Sequence, residues 1–277
     1  MTGPLTEKST RIAAAHRLLR RSRRFQAGEF LAEGAQAVSE ALGVERERGG
    51  LVRELYVTSG AAAGARVTGL VREAFAVGVT VTEITERAAA ALSDTKAPQG
   101  LVARCALLDT DPAAALARSP RLVAVLVEPS DPGNAGTVIR LADAAGADAV
   151  LLAGDAVDVF NPKVVRATTG SLFHLPIGVV DDPMLLPHML AAAGLSTVAT
   201  SGTAELELPR AEAQGLLDLP TAWLFGSEAH GLDEALLASA DITVRIPIYG
   251  RAESLNLATA AAICLYASAT AQHRGRG

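Results

Sequence analysis

Cysteine is nearly absent from this chain, whose 277 residues include two, Cys105 and Cys264. They lie in different halves without CxxC or Cys/His ligand spacing, which argues against a disulfide framework and a zinc site. Also missing are a GxxxxGK[ST] phosphate loop, a GxGxxG turn with an acid about 20 residues later, and a GxSxG nucleophile elbow. Nucleotide hydrolysis, Rossmann dinucleotide binding and Ser-His-Asp acyl transfer lose their sequence support with them. The first 24 residues are basic and lack the continuous apolar segment of a secretory signal, so the expected location is cytoplasmic, where thiols stay reduced. The uncharged run 255–271 is short for a membrane span and contains Asn256, Thr259, Ser268 and Thr270, so it reads as a buried or interface helix.

What is present is an apolar, globular composition. Hydrophobic residues make up 49% of the chain, enough for a sizeable core, and the length suits one large domain or two ordinary ones. The formal net charge of −5 conceals an asymmetry. Residues 1–24 hold seven basic side chains against the single acid Glu7, while the rest of the chain is acidic. A cationic arm on an acidic body points to a polyanionic partner. Arginine outnumbers lysine 22 to 3 throughout, which reflects composition and is not by itself a sign of RNA binding.

Two prolines and short polar residues at 108–120 mark a linker between a domain at 1–107 and another at 121–277. In the first, helices are expected at 32–42, 67–76 and 87–92 and strands at 54–58, 79–84 and 100–107. It contains no nucleophile, metal cluster or phosphate loop and reads as a binding module. In the second, apolar runs at 122–127, 149–153, 175–180, 196–200, 222–225 and 242–246 alternate with helix-compatible segments, which predicts an α/β fold with a mostly parallel sheet.

Three of those runs end in polar, glycine-bearing turns: Asp131-Pro-Gly-Asn-Ala-Gly-Thr-Val-Ile-Arg140, Phe225-Gly-Ser-Glu-Ala-His-Gly-Leu232 and Ile246-Pro-Ile-Tyr-Gly-Arg-Ala-Glu-Ser-Leu-Asn256. Such turns at strand ends suggest one ligand site at the edge of a parallel sheet. Glycine at Gly226 or Gly250 lets main chain approach a ligand without a Cβ in the way. Glu228, Ser254 and Asn256 leave the same turns and either cap one another or face a ligand. Ser254 is a candidate N-cap of the last helix, and 134–145 reads as an amphipathic helix carrying Arg140.

In their order and spacing the three turns resemble the motifs of the SpoU/TrmH family of RNA ribose 2′-O-methyltransferases. Phe160-Asn-Pro-Lys-Val-Val-Arg-Ala-Thr-Thr-Gly-Ser-Leu-Phe173 is similar to a linking segment of that family, and Phe30-Leu-Ala-Glu-Gly34 to the start of its accessory RNA-binding domain. The resemblance implies a SPOUT-type α/β domain with a deep trefoil knot, an exception to the rule of unknotted chains. It also implies S-adenosyl-L-methionine as cofactor, no metal, and a homodimer formed through the knotted domain and the last helix. On this reading Thr200, Ser201, Gly202, Leu224, Gly226, Ile246, Ile248 and Leu255 contact the cofactor. Asn134, Arg140, Glu228, Ser254 and Asn256 serve catalysis, and His230, where the family varies, has no catalytic part.

The implied reaction is displacement at a sulfonium methyl carbon by a ribose 2′-oxygen, for which the enzyme supplies alignment and help with the hydroxyl proton. An arginine is a poor base at neutral pH, so Arg140 is expected to clamp the adjacent phosphate and stabilise alkoxide charge, with the role of base left open. Arg20, Arg21, Arg23, Arg24, Lys163 and Arg166 are expected phosphate contacts that position RNA without reading its sequence. Ribosomal RNA, 23S in particular, is the favoured substrate. Transfer RNA, a non-catalytic RNA-binding protein of the same fold, and an unrelated nucleotide-binding α/β enzyme are the alternatives.

Overall fold

The computed structural model describes residues 3–274, which divide into two compact units. One comprises residues 1–108 with 158–174, the other 109–157 with 175–277.

The first unit is built on a four-stranded mixed sheet of β1 (Glu29–Glu33), β2 (Val52–Thr58), β3 (Val81–Ile84) and β4 (Leu101–Ala106) in the order β1-β4-β2-β3. β4 runs antiparallel to both neighbours and β2 pairs β3 in parallel. The helix expected at 32–42 runs instead over Ala35–Arg48, because residues 29–33 pair with β4 as a strand and Gly34, at φ 99°, makes the turn between them. Only glycine adopts that dihedral without strain. The basic arm is folded into two helices, Thr10–Arg17 and Arg21–Ala27, which with the turn between them bury Ile12, Ala15, Leu18 and Arg24.

The segment 158–174, expected within the second domain, packs with the first unit. The physical reasons are a buried ion pair and ring contacts. Asp158 pairs with Arg24, Phe160 packs against Phe30 at 5.0 Å between centroids, and Phe173 lies 6.2 Å from Phe30. The expected linker at 108–120 is likewise structured. Asp111 Oδ1 accepts from Ala113 N at 3.0 Å and caps a short helix, Pro112–Leu116, whose Pro112 lies where a Cβ on Gly178 would meet it at 2.8 Å.

The second unit carries a six-stranded, wholly parallel sheet: β5 (Leu122–Val127), β6 (Ala149–Ala153), β7 (Ile177–Val180), β8 (Ser196–Thr200), β9 (Thr221–Phe225) and β10 (Ile242–Val244). The order is β10-β8-β9-β5-β6-β7. Every residue of β5, β6 and β9 is buried, which is why these strands read as unbroken apolar runs rather than alternating ones. The helices Pro132–Ala144 and Leu257–Arg274 pack against each other and onto β5. Trp223 Nε1 donates to Ser268 Oγ at 2.9 Å inside this packing, giving a buried indole its partner. Among the described residues no helix is long and apolar enough to cross a membrane.

Chain order turns back on the two sides of β5: the strands on one side are β6 and β7, those on the other are β9, β8 and β10. In open parallel sheets the carboxyl ends of the strands flanking such a reversal border a crevice, and ligands bind there. The first two polar turns follow β5 and β9, the strands at that reversal.

Candidate active site at the switch point of the parallel sheet

β5 ends at Val127, and Glu128 follows in the left-handed region at φ 51°, a local strain of the kind that clusters at functional sites. Asp131 then caps the helix Pro132–Ala144, its Oδ1 accepting from Asn134 N at 2.8 Å, with Pro132 at the helical position that suits its missing N–H. The cap fixes Asn134 in the first turn of that helix.

Glu228 meets it from the second polar turn. Asn134 Nδ2 donates to Glu228 Oε1 at 2.9 Å, and Ser130 Oγ donates to Oε2 at 3.3 Å. From the third turn Asn256 Nδ2 donates to Asn134 Oδ1 at 3.1 Å. Asn256 Oδ1 accepts from Ala258 N at 2.9 Å and Thr259 N at 3.4 Å, so Asn256, and not Ser254, caps the last helix. One hydrogen-bonded chain, Glu228–Asn134–Asn256, thus joins all three turns and fixes which way each amide points. Partial burial pushes the Glu228 carboxyl up, but hydrogen bonds from Asn134, from backbone N–H groups and from Ser130 outweigh it and hold it below the ordinary glutamate value.

A cleft of about 160 Å³ opens in the same unit between the turn after β8 and the segment after β10. Thr200, Ser201, Gly202, Ile246, Ile248 and Leu255, six of the expected cofactor contacts, line it together with Ser254, expected among the catalytic residues, and Glu253, which the motif reading did not single out. The turn is pinned by Ser201 N donating to Val244 O at 3.0 Å and by Thr200 Oγ1 donating to Leu224 O at 3.1 Å. Leu255, in the wall, precedes Asn256, so cleft and amide chain are adjacent along the backbone.

Two expected cofactor contacts, Leu224 and Gly226, are not among the residues lining the cleft. Leu224 is buried in β9. A Cβ on Gly226 would fall 2.1 Å from the Gly231 carbonyl carbon and 2.3 Å from Leu232 N. That glycine is therefore required by its own loop, which folds back through Ser227 and Gly231. Arg140 is exposed on the helix Pro132–Ala144, six residues beyond Asn134 and so roughly 9 Å further along the axis and about 120° around it. Ser130 is the other participant the motif reading missed; its position immediately before Asp131 was the available signal.

The expected RNA contacts divide. Arg20, Arg21 and Arg23 are exposed on the N-terminal helices, and Lys163 is exposed at the start of the helix Pro162–Thr168. Arg24 is not available: it is 2% exposed, its Nε donates to Asp158 Oδ2 at 3.0 Å, its Nη2 also pairs with that oxygen, and its Nη1 donates to Leu18 O at 2.8 Å. Arg166 pairs with Asp94 and lies 3.8 Å from Glu33. Arg24 is a buried structural arginine, while Arg166 is half-buried with its guanidinium beside two acids.

The chemistry at hand is that of an ionised carboxylate, two oriented amides and backbone, without a thiolate. Burial pushes the Cys105 and Cys264 thiols well above their ordinary value. No group of three or more His, Cys, Asp or Glu among the described residues is arranged to hold a metal ion.

A parallel sheet whose polar turns converge at its order reversal, beside a cleft of backbone and aliphatic side chains, defines an α/β domain with a ligand site at its switch point. The family model for the SpoU rRNA methylase family matches residues 121–266, and one for the MRM3-like substrate binding domain matches residues 9–103. The chain belongs to the SpoU rRNA methylase family. It is 33% identical over 94% of its length, and 96% of the relative's, to the 23S rRNA (guanosine(2553)-2′-O)-methyltransferase RlmP of Bacillus subtilis. It is also 33% identical to the 23S rRNA (uridine(2479)-2′-O)-methyltransferase of Streptomyces viridochromogenes, covering 98% of this chain and 93% of that one. Among solved structures, the SpoU methyltransferase AviRb from Streptomyces viridochromogenes in complex with AdoMet superimposes with a TM-score of 0.82 at 30% identity, over 97% of this chain and all of that one. The AdoMet-bound rRNA methyltransferase from Sinorhizobium meliloti does so at 0.79 and 29%, covering 96% and 97%.

Proposed function

We propose that this protein transfers a methyl group from S-adenosylmethionine to a ribose 2′-hydroxyl of 23S ribosomal RNA. The observation that carries the reading is the Glu228–Asn134–Asn256 chain, which ties the three family motifs together next to the cleft. Full-length relatives named as 23S rRNA 2′-O-methyltransferases support the substrate class.

The cleft fits the cofactor in character. Val244, Ile246, Ile248 and Leu255 offer an apolar slot, while the Thr200–Gly202 turn and Glu253–Ser254 offer polar edges. At about 160 Å³ it is smaller than the roughly 300–1,000 Å³ of sites that enclose a whole small ligand, so it suits the adenosine part. When bound, the cofactor supplies a methyl carbon activated by the neighbouring sulfonium. The attacking 2′-oxygen forms its bond to that carbon as the carbon–sulfur bond breaks, and the hydroxyl proton leaves to a base or water. Glu228 and Asn256 hold the Asn134 amide in one orientation, which is a contribution of alignment. Arg140 clamps the RNA phosphate and stabilises negative charge on the attacking oxygen.

The reading includes threading of the C-terminal part of the catalytic domain as a trefoil knot and assembly as a homodimer. The last helix leaves Ile263 39% and Tyr266 48% exposed, an apolar face suited to a second copy. The test is transfer of a labelled methyl group to ribosomal and transfer RNA fractions. Label in 23S RNA that blocks alkaline cleavage at the modified nucleotide supports the proposal. Label confined to transfer RNA redirects it, and none in any fraction from folded protein overturns it.

A further inference from the structure

We propose that the small unit has a nucleotide-binding cavity of its own, in which one phosphorylated nucleoside of the RNA substrate is seated away from the residues of methyl transfer. The proposal rests on the RNA reading above. The cavity, about 400 Å³, lies between the two N-terminal helices and the face of the mixed sheet. Arg11 and Arg17 come from the first helix, Arg23 from the second, Arg104 from β4, Glu29 from β1 and Glu54 from β2.

Cross-strand register brings the sheet residues together, since Glu54 stands opposite Arg104 and Glu29 begins the strand on its other side. Arg104 Nη1 donates to Glu29 Oε2 at 2.8 Å, and Arg104 Nη2 lies 3.5 Å from Glu54 Oε2. Glu54 also pairs with Arg11 and accepts from the Tyr56 hydroxyl at 2.9 Å. Burial, with the Glu54 carboxylate behind it, pushes the Tyr56 phenol well above its ordinary value, so it remains a donor.

Two observations set this wall apart from a closed ion-pair network. Four arginines face two glutamates, which leaves an excess of two positive charges. Arg17 has no partner among the described residues, and Arg23 reaches only the neutral Gln26, at 2.6 Å. The volume is within the range of small-molecule sites, about 300–1,000 Å³, and exceeds what a lone phosphate needs.

A nucleotide meets each requirement. Its phosphate oxygens accept from Arg17 and Arg23. The Glu29 carboxylate, which engages Arg104 through Oε2, takes an amino or hydroxyl hydrogen of the same nucleoside, whereas Glu54 is already saturated by Arg11, Thr82, Tyr56 and Arg104. Single-stranded loops and bulges present nucleotides splayed out in this way, whereas duplex RNA does not.

The experiment compares full-length wild type, Arg17→Ala/Arg23→Ala and Arg72→Ala/Arg87→Ala, the last pair being exposed arginines of the same unit that do not line the cavity. Binding to 23S RNA fragments is followed by fluorescence anisotropy across salt concentrations, and methyl transfer is followed by KM and kcat. Removing the cavity arginines is expected to weaken RNA binding and raise KM roughly tenfold or more with kcat unchanged. It should also reduce the slope of log K against log salt by about 1.4, from roughly 0.7 for each of two phosphates no longer neutralised. Mixed 5′-mononucleotides at millimolar concentration should compete with RNA for wild type and not for that variant. Equal effects of the two double variants would reduce the site to diffuse charge and overturn the proposal, as would a cavity variant that behaves like wild type. RNA binding without mononucleotide competition would overturn the nucleotide pocket. If wild type methylates nothing, the proposed function fails, and the anisotropy still decides the cavity.

Discussion

The two units treat charged side chains in opposite ways. In the small unit, arginines are drawn inward: Arg24 is buried against Asp158, Arg104 sits between Glu29 and Glu54, and Arg166 pairs with Asp94. In the large unit the sheet interior is apolar, and the polar residues of interest gather in turns beyond the carboxyl ends of its strands. The difference follows from sheet type. A parallel sheet buried on both faces leaves polar side chains only its ends, whereas a mixed sheet with one face beneath two basic helices pairs charge across strands. A basic residue in the small unit therefore has to be judged by its partners before it is assigned to RNA.

The largest effect that sharpens this contrast is expected at Arg24. Arg24→Ala leaves Asp158 buried without its partner, at a cost of about 3–5 kcal/mol. Because Trp223 is the chain's single tryptophan and lies in the large unit, its fluorescence reports on that unit alone. The variant should lower the melting transition seen by circular dichroism more than the one seen by fluorescence. Equal shifts in the two signals would show that the units do not differ in this respect.

Next in size is the amide chain. Asn134→Ala should reduce kcat for methyl transfer about 100-fold, roughly 2.7 kcal/mol in barrier, with little change in melting temperature. A large loss of stability with activity retained per folded molecule would make Asn134 structural. Gly226→Ala forces a methyl group into the Gly231–Leu232 backbone and should cost about 1–3 kcal/mol or more, together with displacement of Glu228, read as a lower melting temperature and weaker methyl transfer together. Ser268→Ala leaves the Trp223 indole N–H unpaired and should cost about 1–3 kcal/mol in denaturant titration.

The smallest effect is the acid limb of stability. Because Glu228 is held below its ordinary value, its contribution is present above the unfolded glutamate pKa and is lost as pH falls through the lower folded value. Glu228→Gln should leave acid unfolding less steep below about pH 4, with wild type and variant converging at the acid extreme. Identical acid profiles would remove the carboxylate from the account.

How much of this is legible in the sequence differs between the units as well. In the large unit, unbroken apolar strands and the turns after them can be read directly, because a parallel strand and its following turn are contiguous in the chain. The cap of the last helix is ambiguous at that level, with Ser254 as good a candidate as Asn256, since both are capping residues and only the backbone N–H directions decide between them. In the small unit, residues 32 and 33 read as the start of a helix although they end a strand, because the pairing partner of that strand lies about 70 residues further on.

The sequence alone determined the three turn motifs, their order, the parallel strands that present them and the family to which they belong, all of which are properties of short contiguous segments. Tertiary structure alone decided which glutamate meets which asparagine, that Gly226 serves its own loop, and that Arg24 is structural while Arg17 and Arg23 face a cavity. Arg24 and Asp158 lie 134 residues apart, and Asn134 and Asn256 lie 122 apart. Pairings at such separations are chosen by the packing of whole elements, where burial raises the cost of an unpaired charge, and no local pattern of residues encodes them.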